Sequence, residues 1–227
     1  GIMLLQDQGK LNIKDTVFGP RGILTDTTYT SVMKDPNYKK ITVEDLLRHK
    51  GGFTSYGGDP MVSTRTIMQT NHLDTPPDNT ELMRIMLRRR LRFVPGTSQY
   101  YSNFGYLLLS KVIEKVSGQP YEEFMQKNVL VPAGCYDMHI AENYYEDKRK
   151  NEVRYYNGAD TCLVDEFNNS GNMVERCYGG SDIHSLSGAG AWVCSTPELA
   201  RFVASIDGRT EIPNVISQAS VNAMTEW

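Results

Sequence analysis

The residues most suited to chemistry lie together at Tyr101-Ser102-Asn103, just after a turn-forming Pro95-Gly96-Thr97 and just before a strongly apolar stretch. A phenol at a helix N-terminus faces backbone N–H groups and the positive end of the helix dipole, where negative charge is favoured. With a cation nearby, that setting lowers a phenol's pKa and suits it to proton transfer. Asn103, two positions on, offers both a donor and an acceptor to the same pocket. A Tyr-Ser-Asn tripeptide alone is weak evidence for this chemistry, and by itself reads as a packed Tyr101 beside a capping Asn103. The other candidates are sparser. Cys135, Cys162, Cys177 and Cys194 contain no Cys-x-x-Cys pair, and His49, His72, His139 and His184 lie in no metal-binding motif, so no metal or cofactor is expected. Cys162 and Cys177 flank a turn signal around Asn169; they would pair in an oxidising compartment or remain free thiols. Gly188-Ala189-Gly190 lacks the rest of a dinucleotide fingerprint and reads as close packing.

The elements that must position these residues follow from periodicity. Phe104, Leu108, Val112 and Val116 recur at four-residue steps, with Ser102 or Asn103 opening the helix and Gly118 closing it. Thr42 and Asp45 predict a helix carrying Leu46 and Leu47 inward and ending at Gly51-Gly52. Asn79 is expected to cap a helix through Leu82, Ile85 and Met86, whose far end carries Arg84, Arg88, Arg89, Arg90 and Arg92 as a solvated face. Pro120 opens a helix at its first-turn position. Ser195-Thr196-Pro197-Glu198 predicts another, with Leu199, Phe202, Val203 and Ile206 as its apolar stripe, and Ser217 caps a last one. Residues 12–40 and 54–78 read as loops, and Arg154-Tyr155-Tyr156 with Met173-Val174 as short strands of a hairpin.

Composition bounds the function. The chain has 227 residues, 24 Lys+Arg against 27 Asp+Glu, and 40% hydrophobic residues. That is globular composition, and a net charge of −3 supplies no field to recruit nucleic acid or an anionic membrane. No apolar run is long enough to span a bilayer.

Four collinear blocks carry a resemblance. Pro95-Gly96-Thr97 through Tyr101-Ser102-Asn103-Phe104-Gly105-Tyr106 and on to Ser117-Gly118 resembles the second motif region of the serine beta-lactamase family. The nearest branch is that of class C beta-lactamases, D-Ala-D-Ala carboxypeptidases and esterases. Ile41-Thr42-Val43 through His49, and on to Gly52-Phe53, is similar to a conserved helix and turn of that family, although Lys50-Gly51 replaces its usual small hydroxyl pair. Gly188 through Trp192 with Ser195 through Phe202, and Met3-Leu4-Leu5 through Gly9-Lys10-Leu11, are similar to two further blocks.

The resemblance implies an α/β fold of the beta-lactamase/transpeptidase type, present here mostly as its helical lobe with an incomplete sheet. It implies a serine hydrolase working through an acyl-enzyme on a beta-lactam, a D-amino-acid peptide or a small ester. Tyr101 would be the general base and acid, and Asn103 the orienting amide. With Met3-Leu4-Leu5 as anchor, the family's Ser-x-x-Lys nucleophile motif falls just before Gly1, and its Lys-Thr-Gly-type box beyond Trp227; Ser110-Lys111 lacks the required spacing. No nucleophile or substrate-binding residue is therefore assigned. Residues 1–227 are expected to form one beta-lactamase-like domain truncated at both ends and inactive by itself. His49 is expected to serve structure, bonding near a helix end. The family implies a small-molecule or peptide substrate, no nucleic-acid partner and a periplasmic or extracellular setting. The competing expectation is a non-catalytic relative that binds a cell-wall peptide or a protein partner.

Overall fold

The longest apolar repeat in the sequence becomes the centre of the molecule. In the computed structural model, which describes residues 1–53, 58–158 and 162–226, helix α6 spans Asn103–Ser117 and buries Phe104, Leu107, Leu108, Val112 and Ile113. Ser102 caps it, its side chain accepting from the Gly105 N–H at 3.1 Å. Gly118 ends it in the left-handed region at φ 69°. Around α6 pack α1 (Ile2–Asp7), α3 (Val43–Leu47), α7 (Tyr121–Met125) and a 3-10 turn at His184–Ala189. The turn approaches closely because residue 188 is glycine: a Cβ there would lie 2.7 Å from the Ser110 Cβ and 2.8 Å from the Tyr106 carbonyl. Close packing is thus the role of Gly188, whereas Gly190 has open space around it.

One core joins Leu5, Phe18, Tyr38, Ile41, Met83 and Leu107, all almost fully buried. Burial raises the Tyr38 phenol far above its ordinary pKa, and its hydroxyl lies 2.9 Å from the Met86 carbonyl and 3.0 Å from that of Arg89. Buried polar groups need such partners.

Several boundaries differ from the sequence-based expectation. Residues 12–40 contain α2 (Thr27–Thr30) and a 3-10 turn at Pro36–Lys40, and α4 (Thr64–Asn71) lies within the stretch read as loop. Neither Asp26 nor Ser63 makes a side-chain cap bond, so the usual start signal is silent at both helices. Helix α5 (Asn79–Leu87) is capped by Asp78, one residue before Asn79. Pro120 is the N-cap of α7, and the helix widens into a five-residue π turn at Gln126–Leu130. Helix α3 ends at Leu47, short of the glycine pair, because His49 itself turns left-handed at φ 55°. The N–H groups of His49 and Lys50 then bond back to the Leu46 and Asp45 carbonyls, a Schellman ending with His where Gly is usual.

The sheet content is small among the described residues. Strand β1 (His139–Ile140) pairs antiparallel with β4 (Trp192–Val193), and β2 (Leu163–Asp165) with β3 (Met173–Glu175). The strand expected at Arg154–Tyr156 does not form; Leu163–Asp165 takes its place opposite Met173. In that hairpin Cys162 stands opposite Arg176, one step out of register with Cys177, and all four cysteines are free thiols. Helix α8 (Thr196–Ala204) begins at Ser195 as expected, yet Leu199 and Val203 remain about half exposed; only Phe202 and Ile206 of the stripe turn inward. Its Glu198 carboxylate accepts from the Tyr136 and Asp137 N–H groups at 2.6 and 2.8 Å, and the Asp137 bond, the largest influence, helps hold its pKa low. The last helix, α9 (Gln218–Thr225), returns to α1, where Asp7 accepts from the Ser217 N–H at 2.7 Å and from the Ser217 and Ser220 hydroxyls at 2.6 and 2.7 Å.

Candidate active site

Tyr101 immediately precedes Ser102, the extended cap of α6, and is 63% exposed, so it is not the packed aromatic that its residue type alone suggests. Ser102 takes the cap, which frees Asn103, the first helical residue, to use its amide elsewhere. The Tyr101 hydroxyl donates to Asn103 Oδ1 at 2.8 Å, and Asn103 Nδ2 donates to Asp59 Oδ2 at 2.7 Å. The two residues expected to act together are therefore in direct contact, and a carboxylate stands behind them.

His49 grips the extended segment that presents Tyr101. Its carbonyl accepts from the Tyr100 N–H at 2.9 Å, and its Nδ1 accepts from the Ser102 N–H at 3.2 Å. The imidazole ring also lies 4.6 Å from the Tyr101 ring and 5.1 Å from that of Tyr106, whose hydroxyl donates to the Leu47 carbonyl at 3.1 Å. An Nδ1 that accepts a hydrogen bond is unprotonated, so the ring is neutral. Burial accordingly pushes the His49 pKa below its ordinary value, and burial raises the Tyr106 phenol. His49 serves position, as its place near a helix end suggests. A guanidinium flanks the loop as well, with Arg92 4.6 Å from the Tyr100 ring centre. On the other side of His49 and Tyr106 opens a cavity of about 530 Å³, with Met3, Ile13, Leu47 and Met224 supplying its apolar wall.

A Ser-x-x-Lys spacing does occur inside the chain, at Ser31-Val32-Met33-Lys34, out of the family's order because it follows Met3-Leu4-Leu5. Ser31 is the exposed C-cap that follows Thr30, the last residue of the four-residue α2, and so sits among carbonyls rather than N–H groups. That polarity opposes a developing oxyanion. Among the described residues, no hydrogen bond or ion pair joins Ser31 or Lys34 to Tyr101, Asn103 or Asp59. Asp59 and the double grip of His49 are the features of the site that residue types and spacing leave unseen.

The chain belongs to the beta-lactamase family, whose match extends over residues 1–227. It is 27% identical over 130 residues to a putative D-alanyl-D-alanine carboxypeptidase of Escherichia coli O157:H7, covering 57% of this chain and 28% of that protein. It is 30% identical over 147 residues to the lovastatin esterase of Penicillium rubens, covering 64% of this chain and 36% of the esterase. The chain thus matches about a third of the length of these relatives. Among solved structures, a D-stereospecific amidohydrolase from Streptomyces sp. superimposes with a TM-score of 0.66 at 21% identity, covering 99% of this chain and 60% of that one. The fold is the α/β fold of beta-lactamases and penicillin-binding proteins, and the relatives are hydrolases of that type. No helix among the described residues is long and apolar enough to cross a membrane.

Proposed function

We propose that these residues form part of a serine hydrolase that cleaves a beta-lactam, a D-amino-acid peptide or a small ester through an acyl-enzyme, and that they act as one beta-lactamase-like domain. The observation that supports this reading is the exposed Tyr101 hydroxyl, bonded to Asn103 Oδ1 at 2.8 Å at the head of the central helix. In the reaction proposed, Tyr101 first gives its hydroxyl proton to the family's lysine; a serine oxygen then bonds to the acyl carbon and its proton passes to the Tyr101 phenolate oxygen. Tyr101 then returns a proton to the leaving group as the scissile bond breaks, and water repeats the sequence to release the acid. Asn103 holds the Tyr101 hydroxyl from one side and presents its amide to the bound substrate. The serine and its lysine are assigned to no residue of 1–227, and the chain by itself is proposed to be inactive. The setting proposed, from the resemblance to the family, is the periplasm or the outside of the cell.

The test is to express the entire open reading frame that encodes these residues and expose it to a fluorescent penicillin and a fluorophosphonate. Covalent labelling with turnover is expected, and Tyr101→Phe should lower turnover by roughly 100-fold to 10000-fold with the fold intact. Full activity in that variant would remove Tyr101 from the mechanism. Absence of labelling by both probes would favour the non-catalytic reading, in which the same groove binds a cell-wall peptide or a partner protein.

A further inference from the structure

We infer that Asp59 is a positioning residue that fixes which way the Asn103 amide points, an inference that rests on the assignment of Tyr101 and Asn103 to the reaction. The two ends of an amide are similar in size and opposite in chemistry: Oδ1 accepts and Nδ2 donates. Nothing in the shape of Asn103 decides which end meets Tyr101. Asp59 decides it. An ionised carboxylate only accepts, so the atom 2.7 Å from Asp59 Oδ2 must be Nδ2, and Oδ1 must face the Tyr101 hydroxyl. A reversed amide would set its oxygen against the carboxylate and its N–H₂ against the phenol, and the hydroxyl would lose its acceptor.

Asp59 is itself held for this task. Its other oxygen, Oδ1, accepts from the Met61 N–H at 2.9 Å, and its carbonyl accepts from the Val62 N–H at 3.1 Å, which closes a tight turn. Met61 is 2% exposed and belongs to the main core, so the turn is anchored from below. One carboxylate oxygen is thus tied to a buried anchor while the other reaches the amide. The order Met61, Asp59, Asn103, Tyr101 connects the core to the exposed hydroxyl through three hydrogen bonds of 2.9, 2.7 and 2.8 Å. Among the described residues no hydrogen bond joins Asp59 to the phenol; it acts through Asn103.

Asp59→Asn is the informative variant, because its oxygen can still close the turn with Met61 while its nitrogen, which only donates, opposes Nδ2 and draws Oδ1, setting a reversed amide in competition with the Tyr101 bond. In the uniformly ¹⁵N-labelled chain, the side-chain N–H₂ signals of Asn103 are identified by their loss in Asn103→Asp. Wild type should show one pair, with the proton facing Asp59 shifted downfield and slow to exchange. Asp59→Asn should broaden or double that pair and speed its exchange, with backbone signals elsewhere unchanged. An unaltered Asn103 pair in the folded variant overturns the inference. Asp59→Glu keeps the charge and lengthens the arm, so its Asn103 signals should return toward the wild-type pattern; signals matching those of Asp59→Asn would also overturn it.

Acylation of the entire open reading frame by a fluorescent penicillin separates this inference from the functional reading. Asp59→Asn should slow acylation on the order of 100-fold with little change in half-saturating concentration. If neither the penicillin nor the fluorophosphonate labels wild type, the hydrolase reading fails while the amide signals still decide the orientation. If wild type is acylated and Asp59→Asn acylates equally fast, Asp59 has no positioning role.

Discussion

At the scale of the residue, His49 carries a conformational cost that its bonds repay. A non-glycine residue in the left-handed region is uncommon and costs of order 1 kcal/mol or more. His49 adopts it at φ 55° and in return holds both neighbours of Tyr101, through its carbonyl and its Nδ1. The Nδ1 bond exists only while the ring is neutral. Burial sets the folded pKa below the ordinary 6.5, so between those two values the unfolded chain binds the proton and the folded chain does not. Stability from this residue is therefore complete above pH 6.5 and declines as the pH falls below it. His49→Asn, which tolerates the left-handed turn and has no titrating ring, should flatten the dependence of the urea midpoint on pH between 5 and 7. An unchanged slope would show that His49 is not the group responsible. The Tyr-x-Asn pair is legible in the sequence only because neighbouring blocks support it. Asp59 and His49 are not legible in this role, since they lie 44 and 53 positions from their partners and nothing local marks the meeting.

At the scale of the element, legibility follows the caps. Thr42 and Asp45 form the reciprocal capping box that their spacing predicts, and Ser102, Ser195 and Ser217 cap the helices they precede. Helices α2 and α4 lack a capping side chain and consist mainly of threonine and other weak helix formers, so packing rather than local signal makes them helical. The apolar stripe of α8 fails for a different reason: periodicity identifies a face, not what covers it. Gly118, at the end of α6, and Gly188, packed against it, allow a quantitative comparison. Gly118→Ala meets no atom within 4 Å, so its cost is the left-handed backbone alone, about 1 kcal/mol. Gly188→Ala drives a methyl into the Ser110 Cβ and the Tyr106 backbone and should cost about 3 kcal/mol. Chemical denaturation of the two variants decides the matter; equal losses would mean that the 3-10 turn can move off α6 without penalty.

At the scale of the whole molecule, the helical lobe is tied together by a clasp between distant parts of the chain. Burial alone would raise the Asp7 carboxyl, but the hydrogen bonds from Ser217 and Ser220 outweigh it and hold its pKa below the ordinary 3.8. The stabilisation is present above that value and is lost as the pH falls through the lower folded value, because the folded chain then takes up the proton that the unfolded chain already holds. Asp7→Asn should therefore lower stability at neutral pH and show a shallower loss between pH 4 and 2, followed by circular dichroism; parallel acid transitions for the two proteins would contradict it. The α/β class and the family are legible from four collinear blocks. The clasp is not, since an Asp near one end and two serines near the other are unremarkable until folding brings them together. The same bonds bear on the order of assembly. Asp7 and Ser217 are 210 positions apart. Direct closure of so long a loop is entropically opposed, and that cost falls once the intervening helices have condensed. Helix α9 is then expected to dock last, so in pulsed hydrogen exchange during refolding its amides should gain protection after those of α6; protection at the same time would contradict this order.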